Sequence, residues 1–159
     1  MGARSETLAR QFEAKAQEAL AAIQGLSETD WRKVTAAERW SVGVTAHHLA
    51  SVFEPIAAMV GMLAAGERLE PVGREMFDEM NARHAAEFAE CTRAETIELH
   101  RRGAGAAAST IRALGDEALA RSGTLLSGEP PMSVEQLITG GLLAHIDEHL
   151  GSIRKTIGH

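Results

Sequence analysis

The chain has little of what staples, stiffens or anchors a protein. It contains one cysteine, Cys91. No internal disulfide can form, and a lone thiol predicts a reducing, cytoplasmic setting. At 159 residues it has no need of a staple. A domain of that size buries roughly 70% of its unfolded surface, so one domain over 1–159 is expected. Tyrosine is absent, with two Trp and four Phe as the only aromatics. Val and Ile together number 15 against 28 Ala, a balance that disfavours strands and predicts an all-α fold. A membrane span needs about 18 uninterrupted apolar residues. The longest candidate, Val42 to Ala65, is broken by His47, His48, Glu54 and Pro55, so no membrane contact is expected. The first 17 residues lack the apolar core of a signal peptide. Positive charge is also scarce, with 16 Lys and Arg against 22 Asp and Glu and a net charge of −6. Such a surface repels phosphate backbones, which argues against a nucleic-acid partner. Glycine-rich phosphate loops, serine elbows and dinucleotide fingerprints are missing.

What is present is helical periodicity. Leu8, Phe12, Ala16, Ala19, Leu20 and Ile23 recur at helical spacing and predict a first helix over 5–26. Trp31 and Trp40 lie in the connector that follows, which is therefore expected to be ordered. Ser41 caps a second helix from Val42 to Ala65, kinked at Pro55 because proline cannot donate to the Ser51 carbonyl. A shorter helix starts near Arg74, with Met76, Phe77, Met80, His84 and Phe88 on one side. Thr92 and Glu95 form a capping box ahead of a helix over 93–114. The small-residue run Gly103 to Ala108 in its middle fits either a tight internal crossing or a subunit interface. After a loop to Pro131, Ser133 caps a last helix over 134–157. The pattern predicts a four-helix bundle with one extra short helix between helices two and three.

The chemistry lies in the histidines, seven in all, the last being the terminal His159. His145 and His149 are four apart on the last helix, so both rings share a face and can hold one metal ion. Gly140 and Gly141 precede them and are expected to leave room beside the pair. On helix two, His48 shares the stripe of Val44, Val52 and Pro55 and is expected to face inward, whereas His47 shares a more polar side. Three imidazoles from two helices would leave positions open, as catalytic sites do. His47, Asn81, His84 and Glu148 are candidates for the pocket or for hydrogen bonds behind the ligands, with an ordinary solvated surface as the plainer reading. His100, beside Arg101 and Arg102, reads as helix surface, and Cys91 as a small, partly buried thiol.

These residues resemble the DinB/YfiT-like superfamily of metal-binding four-helix bundles. The first marker is Trp40-Ser-Val-Gly-Val-Thr-Ala-His-His48-Leu49, with a ligand histidine eight residues after the tryptophan; the second is the His145, His149 pair. The segment from Phe77 to Glu117 is similar to the N-terminal domain of mycothiol-dependent maleylpyruvate isomerases, a branch that carries Glu where this chain has His145. The resemblance implies a divalent ion, zinc or nickel, on His48, His145 and His149. It also implies a small-molecule substrate, including a low-molecular-weight thiol, and a homodimer. The activity it implies is a thiol-dependent S-transferase or isomerase. The alternatives are a metal-dependent hydrolase, or a non-catalytic metal-containing protein that binds a stress or detoxification ligand.

Overall fold

Each long amphipathic segment of the sequence forms a rod, and the rods close on one another. The computed structural model describes residues 2–158; His159 lies outside them. Helix α1 runs Ala3–Gln24, a short α2 Glu28–Arg32, α3 Val42–Ser51, α4 Phe53–Ala64, α5 Arg74–Glu87, α6 Arg93–Arg112 and a short α7 Asp116–Leu119. The last rod is α8 (Val134–Ile138), a π-helical turn (Thr139–Leu143) and α9 (Ala144–Ile157). Four rods make the bundle: α1, α3 with α4, α6, and α8 with α9. Helix α1 packs on α6, α6 on α3 and α4, α3 on α9, and α9 returns to α1. The loop before α8 adds a two-residue antiparallel ladder, Ser122–Gly123 with Met132–Ser133.

The caps lie where the sequence places them. Ser41 Oγ accepts from Val44 N–H at 3.0 Å. Thr92 and Glu95 exchange hydrogen bonds of 3.1 and 3.0 Å, and Ser133 and Gln136 do the same at 3.0 and 2.8 Å. Each satisfies amides that a helix start leaves without intrahelical partners. The break in the second rod falls at Val52, three residues before Pro55. The proline ring removes the bond to Ser51, and the freed turn is held by Ser51 Oγ donating to the His48 carbonyl at 2.9 Å.

The main core contains Leu8, Phe12, Leu49, Phe53, Ile111, Ile138, Leu142 and Ile146, with Phe12 and Phe53 meeting edge to face at 5.3 Å. A smaller core of Ile23, Leu26, Trp31, Val42, Ala46 and Ile153 closes one end. Trp31 is its keystone. Its Nε1 donates to the Cys91 carbonyl at 3.0 Å, and its ring lies so close to Gly43 that a Cβ there would sit 2.4 Å away.

The structure decides one open alternative and revises one expectation. The small-residue run of α6 is an internal crossing: Gly103, Ala107 and Ala108 are buried, and a Cβ on Gly103 would lie 3.1 Å from Phe53 Cβ. His100 is a core residue rather than a surface one, 1% exposed, with Nε2 2.8 Å from the Ala16 carbonyl and its ring edge-on to Phe53. Helix α5 buries none of its residues, and Met76, Phe77 and Met80 stand exposed on it.

Candidate metal centre

The site forms where α3 crosses α9. The Ser41 cap fixes the start of α3, and His48 follows one turn before the rod breaks at Val52. The π turn sets the phase of α9. Its wider turn advances the following face by about one residue, or roughly 100°, relative to a straight α-helix. Leu142 and Ile146 thereby stay in the core, and His145 and His149 come round to α3. The ring centroids of His48 and His145 are 5.1 Å apart, those of His48 and His149 4.9 Å, and those of His145 and His149 4.4 Å. One nitrogen from each ring lies within 4.8 Å of the others, an arrangement that could hold a metal ion.

Burial keeps two of these rings, His48 and His145, neutral. It lowers His48 to about 4, with the neighbouring His149 and His84 pushing the same way and Glu38 opposing. It lowers His145 to about 3, reinforced by His149 and His48 and partly offset by the backbone at His48 and Leu49. Neutral imidazole is the metal-binding form, so protons do not compete for these two rings at pH 7. His145 Nε2 is buried and has no hydrogen-bond partner among the described residues. A desolvated lone pair of this kind is what a cation would satisfy, and three imidazoles suit a borderline-soft divalent ion. The donor set therefore fits a metal.

Behind the rings stands a residue that the sequence does not mark. Glu38 lies in the loop before α3 with its side chain buried; its Oε1 is 2.9 Å from His149 Nδ1 and its Oε2 accepts from Ser152 Oγ at 2.6 Å. Burial alone would raise its pKa, but hydrogen bonds from Ser152, Thr35 and His149 outweigh that and hold it below the ordinary value. The carboxylate holds the His149 proton on Nδ1, leaving Nε2 free to bind an ion. The loop is shaped by Arg39, a non-glycine residue in the left-handed region at φ 63°, and by the Thr35 N–H bond to the Trp40 carbonyl at 2.8 Å. Trp40 then lies edge-on to His48 at 5.2 Å.

The remaining candidates separate. His47 is buried and points to α5, where its Nδ1 is 2.8 Å from His84 Nε2 and its ring stacks on Phe88 at 4.1 Å. His47 also borders a groove of about 680 Å³ that includes Ser51, Phe88, Cys91 and Leu99. Asn81 is half-buried one turn before His84. Glu148 is exposed, in a groove with Val34, Lys155 and Thr156; the carboxylate that bonds a site histidine is Glu38. The glycines do not open space at the site. Gly140 faces solvent, and a Cβ on Gly141 would meet Leu137 and Ile56 at 3.2 and 3.3 Å. Their absent side chains accompany the π turn and let α4 approach closely. Cys91 Sγ is spent on the Gly43 carbonyl at 3.4 Å, and burial raises its pKa, so it is not primed as a nucleophile.

Fold and site together define a class of helical bundle with a histidine cluster, able to hold a metal ion, between two of its rods. The model of the DinB superfamily matches residues 11–153, and the chain belongs to that superfamily. Among solved structures it is similar to YfiT from Bacillus subtilis, described as a probable metal-dependent hydrolase with an unusual four-helix bundle topology. The identity is 14% and the TM-score 0.73, over 97% of this chain and 87% of that one. It is also similar to the mycothiol-dependent maleylpyruvate isomerase, at 13% identity and a TM-score of 0.70 over 94% of this chain. The chain spans 59% of that enzyme's length. At these identities the likeness concerns the fold. Comparison with curated proteins finds no match.

Proposed function

We propose that the chain is a metal-dependent enzyme in which His48, His145 and His149 hold a divalent ion, zinc or nickel, and that it transfers a low-molecular-weight thiol to, or isomerises, an electrophilic small molecule. The observation that carries this reading is the convergence of three imidazoles on one point with His145 Nε2 buried and unpaired among the described residues. A divalent ion there would act as a Lewis acid and lower the pKa of a thiol or water that reaches it. The protein's own residues do the rest. Glu38 orients His149, Trp40 walls one side of His48, and burial keeps His48 and His145 unprotonated. The thiol comes from outside, because Cys91 is half-buried with its Sγ held on a backbone carbonyl. The groove beside His47 is open enough to admit part of such a ligand. The likeness to the thiol-dependent isomerase supports S-chemistry, and the likeness to YfiT supports a second reading, metal-dependent hydrolysis. We further read the chain as one such domain working in the cytoplasm as a homodimer.

Metal analysis of protein purified without chelator tests the site. We expect about one divalent ion per chain in the wild type and little in His145→Ala or His149→Ala; wild-type protein that binds no ion would overturn the reading. Incubation of the loaded protein with a thiol and an electrophilic acceptor, or with an ester or amide alone, then separates S-transfer from hydrolysis. Thiol binding without turnover of either substrate would identify a binding protein.

A further inference from the structure

The three-histidine centre leaves two neighbouring rings without a role. His84 Nδ1 is buried with no hydrogen-bond partner among the described residues. Its Nε2 is 2.8 Å from His47 Nδ1, and its ring centroid is 5.4 Å from that of His48. That separation is close to the 5.1 and 4.9 Å that divide His48 from His145 and His149. An unpaired buried polar atom costs about 1–3 kcal/mol, and in a native fold it calls for a cause. Building on the metal-site reading above, we infer that His84 Nδ1 is a fourth nitrogen donor to the ion, with His47 as the residue that positions it.

The tautomers follow from the hydrogen bond. A neutral imidazole carries one N–H, and only one proton fits between His84 Nε2 and His47 Nδ1. With the proton on His84 Nε2, His84 Nδ1 is a bare lone pair able to bind a cation. His47 then carries its own proton on Nε2, which water in the adjoining groove can accept. The stack of His47 on Phe88 fixes the plane of this arrangement. Phe88 ends the same helix that carries His84, so one contact holds both. His84 stands outside the 4.8 Å cluster of the other donors. Helix α5 must move toward α9 to deliver it, and no residue of α5 is buried in the core to resist that shift.

Chelator competition with zinc and electron paramagnetic resonance of the copper-loaded protein test the assignment. In the wild type, nitrogen splitting from four imidazoles is expected. In His84→Ala it should fall to three, with zinc affinity lower by about 10–100-fold. His84→Phe keeps the aromatic packing and removes both nitrogens, and should behave like His84→Ala; circular dichroism checks that both are folded. His47→Ala should weaken zinc and alter the copper spectrum, whereas His47→Gln, whose amide oxygen can accept from His84 Nε2, should restore much of both. Wild-type zinc affinity and an unchanged copper spectrum in His84→Phe, alongside lost binding in His145→Ala, would overturn the fourth donor and leave the three-histidine centre standing. A wild type that binds neither ion would overturn both.

Discussion

Glu38 shows how one side chain can decide the quality of a site built by others. It is a carboxylate with 8% side-chain exposure, kept ionised by donors from three directions, and it spends one oxygen on His149 and the other on Ser152. Removing it leaves the His149 ring free to rotate and to change tautomer. Glu38→Ala should therefore weaken metal binding by about 10–100-fold, and chelator competition would show it. Glu38→Gln should lose much less, because its amide can still accept from His149 and donate to Ser152. The imidazoles also predict a pH dependence. His48 and His84 are lowered to about 4 and His145 to about 3, against an ordinary value near 6.5. Between pH 6.5 and 4 the unfolded chain takes up protons that the folded chain refuses, which favours unfolding. The stability that these groups contribute is complete above pH 6.5 and is lost as the pH falls toward their folded values. The melting temperature of metal-free protein should fall steadily over that window, and less so in His48→Gln; a flat profile would contradict the burial assigned to these rings.

At the scale of elements, the last rod departs from the constant turn that sequence periodicity assumes. A run of apolar residues at helical spacing predicts a helix over 134–157, and a helical rod is there, but periodicity assumes a constant turn. The π turn at Thr139–Leu143 breaks that assumption and sets which face carries His145. The two glycines in it have separate roles that a substitution pair would reveal. A methyl on Gly140 would meet no atom within 4 Å, so Gly140→Ala gains helix propensity of up to about 1 kcal/mol without cost. In Gly141→Ala the methyl must displace Leu137 or Ile56, which offsets that gain or reverses it. Denaturant midpoints of the two variants should move apart. The same reasoning makes Gly43→Ala severe. A Cβ 2.4 Å from Trp31 Nε1 forces the indole away and breaks its bond to Cys91, a loss of about 1–3 kcal/mol expected from overpacking.

At the scale of the molecule, the rods and their caps were readable because each cap is a local contact, such as Ser41 with Val44 or Thr92 with Glu95, and because each rod repeats its own apolar spacing. His48, His145 and His149 could be grouped for the same reason: each shares a stripe with core residues, and stripes from neighbouring rods must meet. Glu38 could not be found that way. It sits in an irregular loop, and its partner His149 is far along the chain, so no period connects them. His100 was hidden by its charged neighbours, since Arg101 and Arg102 turn outward while the ring points to Ala16. The exposure of Met76, Phe77 and Met80 was hidden for the opposite reason, because apolar residues on one face of α5 look like a core stripe until the neighbouring rods are in place.

Because the site joins α3 to α9, a bound ion should act on the whole bundle and not only on the histidines. The broken second rod and the π turn of the last one are irregular places in the main helices, and both lie beside the site. An ion that binds the folded chain and not the unfolded one adds stability that grows with its excess over Kd, about 2.7 kcal/mol at a hundredfold excess. For a chain of this length that corresponds to a rise of roughly 5–10 °C in melting temperature. The rise should vanish in His145→Ala, which removes the donor and leaves the cores untouched, and it should shrink in Glu38→Ala. A scan that shows the same melting temperature with and without zinc or nickel would mean that α3 and α9 are held by their apolar contacts alone.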